Sequence, residues 1–263
     1  NAITGVGHQP DLVWIKQRNE ARGHSIFDAV RGVQKEIGSD RTDAESTASS
    51  FLTAFGTDGF TYGSSDNGNK NGGTYASWNW KANGQGSSNT DGSINTTYTS
   101  VNTTAGFSII TYTGTGSAGT IGHGLGAVPD FWQIKARSET RSWYGWSKGM
   151  NYGDVVNWTH NGAKSTDTSL FGTNAPTSSV INLGNSVGVN NNGITFVCYA
   201  WTSIPGFSKI GLYKGNGNTD GAFIYTGFRP AFVMTKRING DGNWQIIDTA
   251  RNPRNATTIS LFP

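Results

Sequence analysis

Three versions of one phrase recur along the chain: PDLVWIKQR at 10–18, PDFWQIKAR at 129–137 and PAFVMTKR at 230–237. A phrase that returns at long range constrains the fold strongly, because each copy must bury its apolar faces in the same way. Lys16, Lys135 and Lys236 keep the same distance from Pro10, Pro129 and Pro230. A second phrase precedes the anchor: AGFSIITYTGTG at 105–116 returns as PGFSKIGLYKGNG at 205–217. A third follows it: NGGTYASWNWKA at 71–82 returns as NNGITFVCYAWTS at 191–203, which aligns Trp80 with Trp201. The chain is thus a tandem array. Unit 1 covers 1–82 without an opening GFS strand, 83–104 reads as a linker, unit 2 covers 105–204 in full, and unit 3 covers 205–263 and stops halfway. The abrupt ends at Asn1 and Pro263 read as those of a segment from a longer polypeptide.

One unit indicates the fold class. Within unit 2 the strand candidates are GFSIITYTG, FWQIKARS, SWYGWSK, SSVINLGN and ITFVCYAWT, separated by turn-rich pieces. In the last, Phe196, Cys198 and Ala200 alternate with Thr195, Val197, Tyr199 and Trp201. Both rows are largely apolar, which predicts a central strand. With Gly at 37 of 263 residues and charged residues at 14%, the chain favours short strands and tight turns over helices. The expected architecture is all-β: tandem antiparallel β-sandwich repeats of jelly-roll-like form. SIFDAVRGVQKEIG at 25–38 is the one helix candidate, weakened by Gly32.

Candidate functional residues are few. Alternation points Lys16, Lys135 and Lys236 outward, toward a solvated sheet face or a partner. Asp28 and Arg31 recur with the same spacing as Asp248 and Arg251, which suggests a structural ion pair or turn lock. The middle unit has Trp143, Tyr144 and Trp146 there and no acid, so a shared catalytic acid is disfavoured. Aromatic faces stack on sugar rings while Asn side chains bind hydroxyls. On that chemistry the candidate glycan-binding residues are Trp143, Trp146, Trp158, Asn157 and His160.

Other chemistries find little footing. The turn Asn216, Asn218, Asp220, Gly221 starts like a calcium loop, but its twelfth position is Gly227 rather than a bidentate Glu. His8, His24, His123 and His160 show no ligand spacing, and Cys198 is the single cysteine, so neither a metal nor a disulfide is expected. Glycoside hydrolysis wants two carboxylates across a cleft, yet the chain holds only Glu20, Glu36, Glu45 and Glu139. No cofactor is expected and the reading is non-enzymatic. The net charge of +3 with scattered basic residues gives no footprint for nucleic acid.

The phrases GHGLGAVPDFWQIKAR, NTDGSINTTYTSVNTTAGFSIITYTGTGSAGTIGHGLG and GAFIYTGFRPAFVMTKR resemble an uncharacterised β-rich repeat of virion structural proteins from marine tailed bacteriophages, of the cyanophage and pelagiphage type. That resemblance implies a virion-surface, extracellular protein, a tail fibre or appendage adhesin contacting host-surface glycan. It also implies other virion proteins as partners, and a homo-oligomer that is trimeric if a fibre. A capsid decoration or cement protein is the alternative, and a carbohydrate-binding array attached to a secreted enzyme is the third. The resemblance brings no known binding residues, and WYGWSKGMNYGDVVNWTHNG at 143–162 is richer in Trp than it leads one to expect.

Overall fold

The computed structural model describes residues 1–252 and 260–262. Unit 1 carries β1 (Ala2–Thr4), β2 (Leu12–Gln17), β3 (Ser25–Asp28), β4 (Lys35–Glu36), β5 (Ser46–Thr47), β6 (Leu52–Gly56), β7 (Gly59–Tyr62), the one-turn helix α1 (Asp66–Asn69) and β8 (Tyr75–Trp80). Then come β9 (Tyr98–Asn102), β10 (Phe107–Thr113), β11 (Gly119–Gly122), β12 (Phe131–Ala136), β13 (Tyr144–Ser147), β14 (Asp154–Val155) and β15 (Ser165–Thr166). Unit 2 ends with α2 (Thr168–Phe171), β16 (Val180–Leu183), α3 (Val187–Asn190) and β17 (Thr195–Trp201). Unit 3 carries β18 (Phe232–Thr235) and β19 (Gln245–Asp248). The fold is all-β. Its strand pairs are antiparallel, in several small sheets. Among the described residues no sheet closes into a barrel or a sandwich.

The anchor phrases become equivalent strands in equivalent registers. Leu12 pairs with Asp28, Phe131 with Ser147, and Phe232 with Asp248. On the other side, Leu12 pairs with Trp80 and Phe131 with Trp201. Unit 2 builds the largest sheet, in the order β13-β12-β17-β10-β9, and β17 is central and buried as its two apolar rows require. Unit 1 builds β3-β2-β8, so β8 is an edge where β17 is not. The five strand candidates of unit 2 are all strands.

Three expectations are overturned. The stretch 25–38 is not a helix: β3 runs into a turn in which Gly32 has φ of +90° and Gln34 of +66°, followed by β4. Left-handed backbone at two positions so close together ends any helix. The stretch 83–104 is more than a linker, because β9 pairs with β10 from Phe107 to Thr111. Lys135 does not face solvent but is fully buried, for a reason that lies between units.

The units close into a ring. Trp143 of unit 2 donates its indole N–H to the Gly38 carbonyl of unit 1 at 2.8 Å, and Trp244 of unit 3 donates to Asn157 O of unit 2 at 2.7 Å. His24 is the equivalent residue of unit 1, and its ring faces the Phe262 backbone of unit 3. Phe262 follows Leu261, which bridges to Ile246 as Val156 bridges to Gly145 and Ile37 to Ile26, so the three acceptor positions also correspond. Unit 2 therefore rests on unit 1, unit 3 on unit 2, and unit 1 on unit 3. Aromatic side chains fill the middle: Trp80 meets Trp201 at 6.2 Å and Phe232 at 5.7 Å, and Trp14 meets Trp158 at 5.0 Å. Burying such rings removes roughly 150–250 Å² each from water, so the aromatic wealth of the chain goes mainly into ring closure.

Candidate functional site

The Asp–Arg pairs are locks with a common geometry. The Asp28 carboxylate accepts from the Arg31 backbone N–H at 2.7 Å and from its Nε at 2.5 Å, while Arg31 Nη2 donates to Ile26 O. Asp248 and Arg251 repeat all three contacts, with Ile246 O as the carbonyl. Each aspartate also accepts from the next unit: Tyr199 Oη donates to Asp28 at 2.6 Å, and Trp78 Nε1 donates to Asp248 at 3.0 Å. Tyr199 and Trp78 are equivalent positions, two residues before Trp201 and Trp80 and on the same face of the strand. These carboxylates are saturated by structural partners, which leaves them no chemistry to do.

Two of the three recurrent lysines belong to the junctions, while Lys16 Nζ donates to Gln17 O of its own unit at 2.9 Å. Lys135 Nζ donates to Thr42 O of unit 1 at 3.1 Å, and Lys236 Nζ donates to Asn161 O of unit 2 at 3.1 Å. Burial pushes the Lys135 ammonium down to about 8, against a weaker upward pull from Asp43. Burial lowers Lys236 as well. Alternation assigns these lysines correctly to one face of the strand. What it misses is that a loop from the preceding unit covers that face.

At the unit 1–unit 2 junction the covering loop is held by charge. Arg137 grips Glu45 with two hydrogen bonds, at 2.9 and 3.0 Å, and Arg31 reaches the same carboxylate at 3.0 Å. Burial works against the Glu45 carboxylate, but the Arg137 hydrogen bond and the Arg31 charge outweigh it and hold it below the usual carboxylate range. At the unit 2–unit 3 junction Lys164 and Ile238 occupy the places of Glu45 and Arg137. The backbone bond is kept, Lys164 N–H to Ile238 O at 3.0 Å, but among the described residues no ion pair crosses, and Lys164 turns to Asp154 of its own unit at 2.7 Å.

A cavity of about 260 Å³ opens at this second junction. Trp158, Thr159, His160 and Asn161 line it from unit 2, and Asn243 and Trp244 from unit 3. Its size suits one sugar-sized group better than the ~300–1,000 Å³ of drug-sized sites. Two groups in the lining are buried and unpartnered, Trp158 Nε1 and Thr159 Oγ1. A buried polar group without a partner costs about 1–3 kcal/mol, so both mark a locally strained part of the junction. The lining has no carboxylate. It can hold a neutral, hydroxyl-bearing group by hydrogen bonds, and it offers no acid–base pair.

The sequence-derived site residues are only partly brought together. Trp158 and His160 line the cavity, and Asn157 lies beside it as the acceptor of the Trp244 indole. His160 is exposed and bonded to Ser142 Oγ at 3.2 Å. Trp143 is fully buried against Trp158 and Tyr199, and Trp146 is stacked on Trp132 at 4.8 Å and on Tyr152 at 5.5 Å. Those two indoles offer no open face to a sugar, and Trp158 is packed between Trp14 and Trp143. Thr159, Asn161, Asn243 and Trp244 are the residues that sequence reasoning missed. Aligning NWQIID of unit 3 with SWYGWS of unit 2 marks Trp244 as the partner of Trp143, which is the one signal available.

Among the described residues no group of three or more His, Cys, Asp or Glu is placed to hold a metal ion. None of their helices is long and apolar enough to cross a membrane. The chain belongs to the family described as "Domain of unknown function (DUF7483)", whose model matches residues 1–263. No curated protein and no solved structure matches it.

Proposed function

We propose that this family member is a non-enzymatic, virion-surface structural module of a tailed bacteriophage, an appendage or fibre segment that contacts host-surface glycan at the unit 2–unit 3 junction. The observation that carries the reading is the cavity itself, with its neutral polar lining of Thr159, His160, Asn161 and Asn243. Neutral hydrogen-bonding side chains around a small cavity are the chemistry that recognises sugar hydroxyls. The ring adds support, because a fibre presents three equivalent surfaces about an axis and this chain arranges three equivalent junctions by itself. In sea salt, charge attraction is screened within a few Å. A site that works by shape and hydrogen bonding suits that setting, and many copies per particle would raise weak affinity.

The experiment has two arms. Titration of the chain with neutral hexoses and host-envelope polysaccharide, followed by NMR, is expected to shift the Trp158 indole N–H, and Asn161→Ala with Asn243→Ala is expected to abolish the shift. Immunogold labelling of virions with antibody to residues 105–204 is expected to mark the tail or its appendages. Label spread over the head would replace this reading with capsid decoration. Sugar binding without any virion label would favour a carbohydrate-binding array on a secreted enzyme.

A further inference from the structure

Both lysine-clamped junctions hold one backbone carbonyl between two donors. In the first, Thr42 O accepts from Lys135 Nζ at 3.1 Å and from Arg141 N–H at 2.9 Å. In the second, Asn161 O accepts from Lys236 Nζ at 3.1 Å and from Gly242 N–H at 2.8 Å. The sequence differs at the two residues that decide what such a carbonyl can do: Thr42–Asp43 of the first loop is replaced by Asn161–Gly162 in the second. In an Asn–Gly step the glycine nitrogen, unhindered by a side chain of its own, can reach the amide carbon of the asparagine. Threonine has no amide to lose, so the first loop cannot follow the same chemistry.

We propose that Asn161–Gly162 is a self-modification site, which converts the asparagine to isoaspartate and so gives the second junction an ion pair across the two units. Gly162 N–H gives its proton to solvent hydroxide, and the nitrogen attacks Asn161 Cγ. The N–Cγ bond forms, the Cγ–Nδ2 bond breaks, and Nδ2 leaves with the electron pair and a proton from water, as ammonia. Water then adds to one carbonyl of the resulting cyclic imide. The bond from that carbon to the Gly162 nitrogen breaks, and the nitrogen regains a proton. Opening at Cγ gives aspartate, and opening at the former backbone carbonyl gives isoaspartate. The net change is the hydrolysis of one amide, with water as the only co-reactant.

The loop leaves the reacting groups unencumbered. Asn161 is exposed, and among the described residues neither its side chain nor Gly162 N–H has a hydrogen-bond partner. The space where a Gly162 Cβ would stand is open. Other Asn–Gly steps are engaged: Gly68 N–H is bonded to Ser65 O, Gly193 N–H to Gly114 O, and the Asn216 amide to Gly221 O. The two donors on Asn161 O serve both steps. When Gly162 loses its proton the charge moves onto that oxygen, where an ammonium and an N–H already point. In the imide they activate the same carbonyl toward water, which favours opening to isoaspartate. The new carboxylate keeps that oxygen and so forms against Lys236 Nζ. The inference stands whether or not the cavity takes a sugar.

Ageing of the folded chain at mildly alkaline pH, followed by proteolysis and mass spectrometry with enzymatic labelling of isoaspartate, tests the proposal. Asn71–Gly72 is the internal reference, because it is exposed and among the described residues no donor reaches Asn71 O. Asn161 is expected to convert about tenfold faster than Asn71, a smaller effect than the ~10²–10³ of a dry oxyanion site because this one is partly exposed. It should also yield the larger share of isoaspartate. Lys236→Met should bring both quantities back toward those of Asn71, and Gly162→Asp, the residue unit 1 has there, should stop the conversion. In urea the two sites should react alike, with or without Lys236. Conversion of Asn161 no faster than of Asn71 in the folded chain, a rate unchanged in Lys236→Met, or opening mainly to aspartate overturns the proposal.

Discussion

The two visible lysine-clamped junctions share a backbone and differ in charge. Between units 1 and 2, Glu45 N–H donates to Arg137 O at 2.7 Å and Arg141 N–H to Thr42 O at 2.9 Å. Between units 2 and 3, Lys164 N–H donates to Ile238 O at 3.0 Å and Gly242 N–H to Asn161 O at 2.8 Å. The same four positions are used, and the tryptophan and lysine donors repeat above them. Only the first junction adds Glu45 between Arg137 and Arg31. Ring closure is therefore a property of backbone register and the indole bond, whereas the side-chain charges decide whether a junction is sealed or keeps a cavity.

The strongest way to break the sealed junction is at Arg31, which is buried and serves both Asp28 and Glu45. Arg31→Met strands the buried Asp28 carboxylate, while Glu45 keeps Arg137, and removing one partner of a buried ion pair costs about 3–5 kcal/mol. Denaturant unfolding should show that loss. The middle unit indicates a rescue, since it has Ser147 and Met150 at the equivalent positions. The double variant Asp28→Ser, Arg31→Met should recover part of the stability, because it removes the stranded Asp28 charge too.

The third junction has His24 where the other two have tryptophan, and this gives it a pH limb. Burial first, then the Lys16 charge, push the His24 imidazole down to about 3, although the Phe262 backbone pulls the other way. His24 Nδ1 accepts the Trp14 indole N–H at 2.8 Å and Nε2 has no hydrogen-bond partner. Between pH 6.5 and 3 the unfolded chain binds a proton that the folded chain refuses. Stability is thus complete above 6.5 and falls with acid, by about 2 kcal/mol at pH 5 at 1.4 kcal/mol per unit. His123 shifts the same way, so the informative readout is the difference in slope between the chain and His24→Phe. Equal slopes would show that His24 does not carry the limb.

The tryptophan bonds sharpen the comparison further. Trp143→Phe leaves the Gly38 carbonyl without its donor in a fully buried place and should cost about 1–2 kcal/mol. Trp244→Phe removes the matching bond beside the cavity, where water can replace it, and should cost less. Equal losses in thermal unfolding would mean that the second junction is as dry as the first.

Much of the fold follows from local pattern. Two apolar rows place β17 in the centre of its sheet, and equal spacing identifies the Asp28–Arg31 and Asp248–Arg251 locks. Local pattern fails where a second unit intervenes. Lys135 is on the side of β12 that alternation assigns, but periodicity says nothing about the Thr42 loop that covers it. The 25–38 stretch has helical spacing until φ at Gly32 and Gln34 turns the chain toward β4, whose partner β5 is ten residues away in sequence. The cavity is assembled from residues far apart along the chain, so only Trp158, His160 and the neighbouring Asn157 were accessible to a reading of unit 2 alone.

The smallest stability effect belongs to the most informative variant. Lys164→Glu with Ile238→Arg transplants the Glu45–Arg137 pair into the second junction. A partly exposed ion pair contributes about 0.2–1 kcal/mol, and the exchange also forfeits the Lys164–Asp154 contact, so unfolding free energy should move by less than about 1 kcal/mol in either direction. Binding should respond quite differently. The graft puts a carboxylate and a guanidinium across the junction whose cavity is lined by Asn161 and Asn243. Loss of the sugar-induced NMR shift at unchanged stability would tie recognition to an unsealed junction. A retained shift would mean that the cavity does not depend on the missing ion pair, and that the two junctions differ in charge without differing in role.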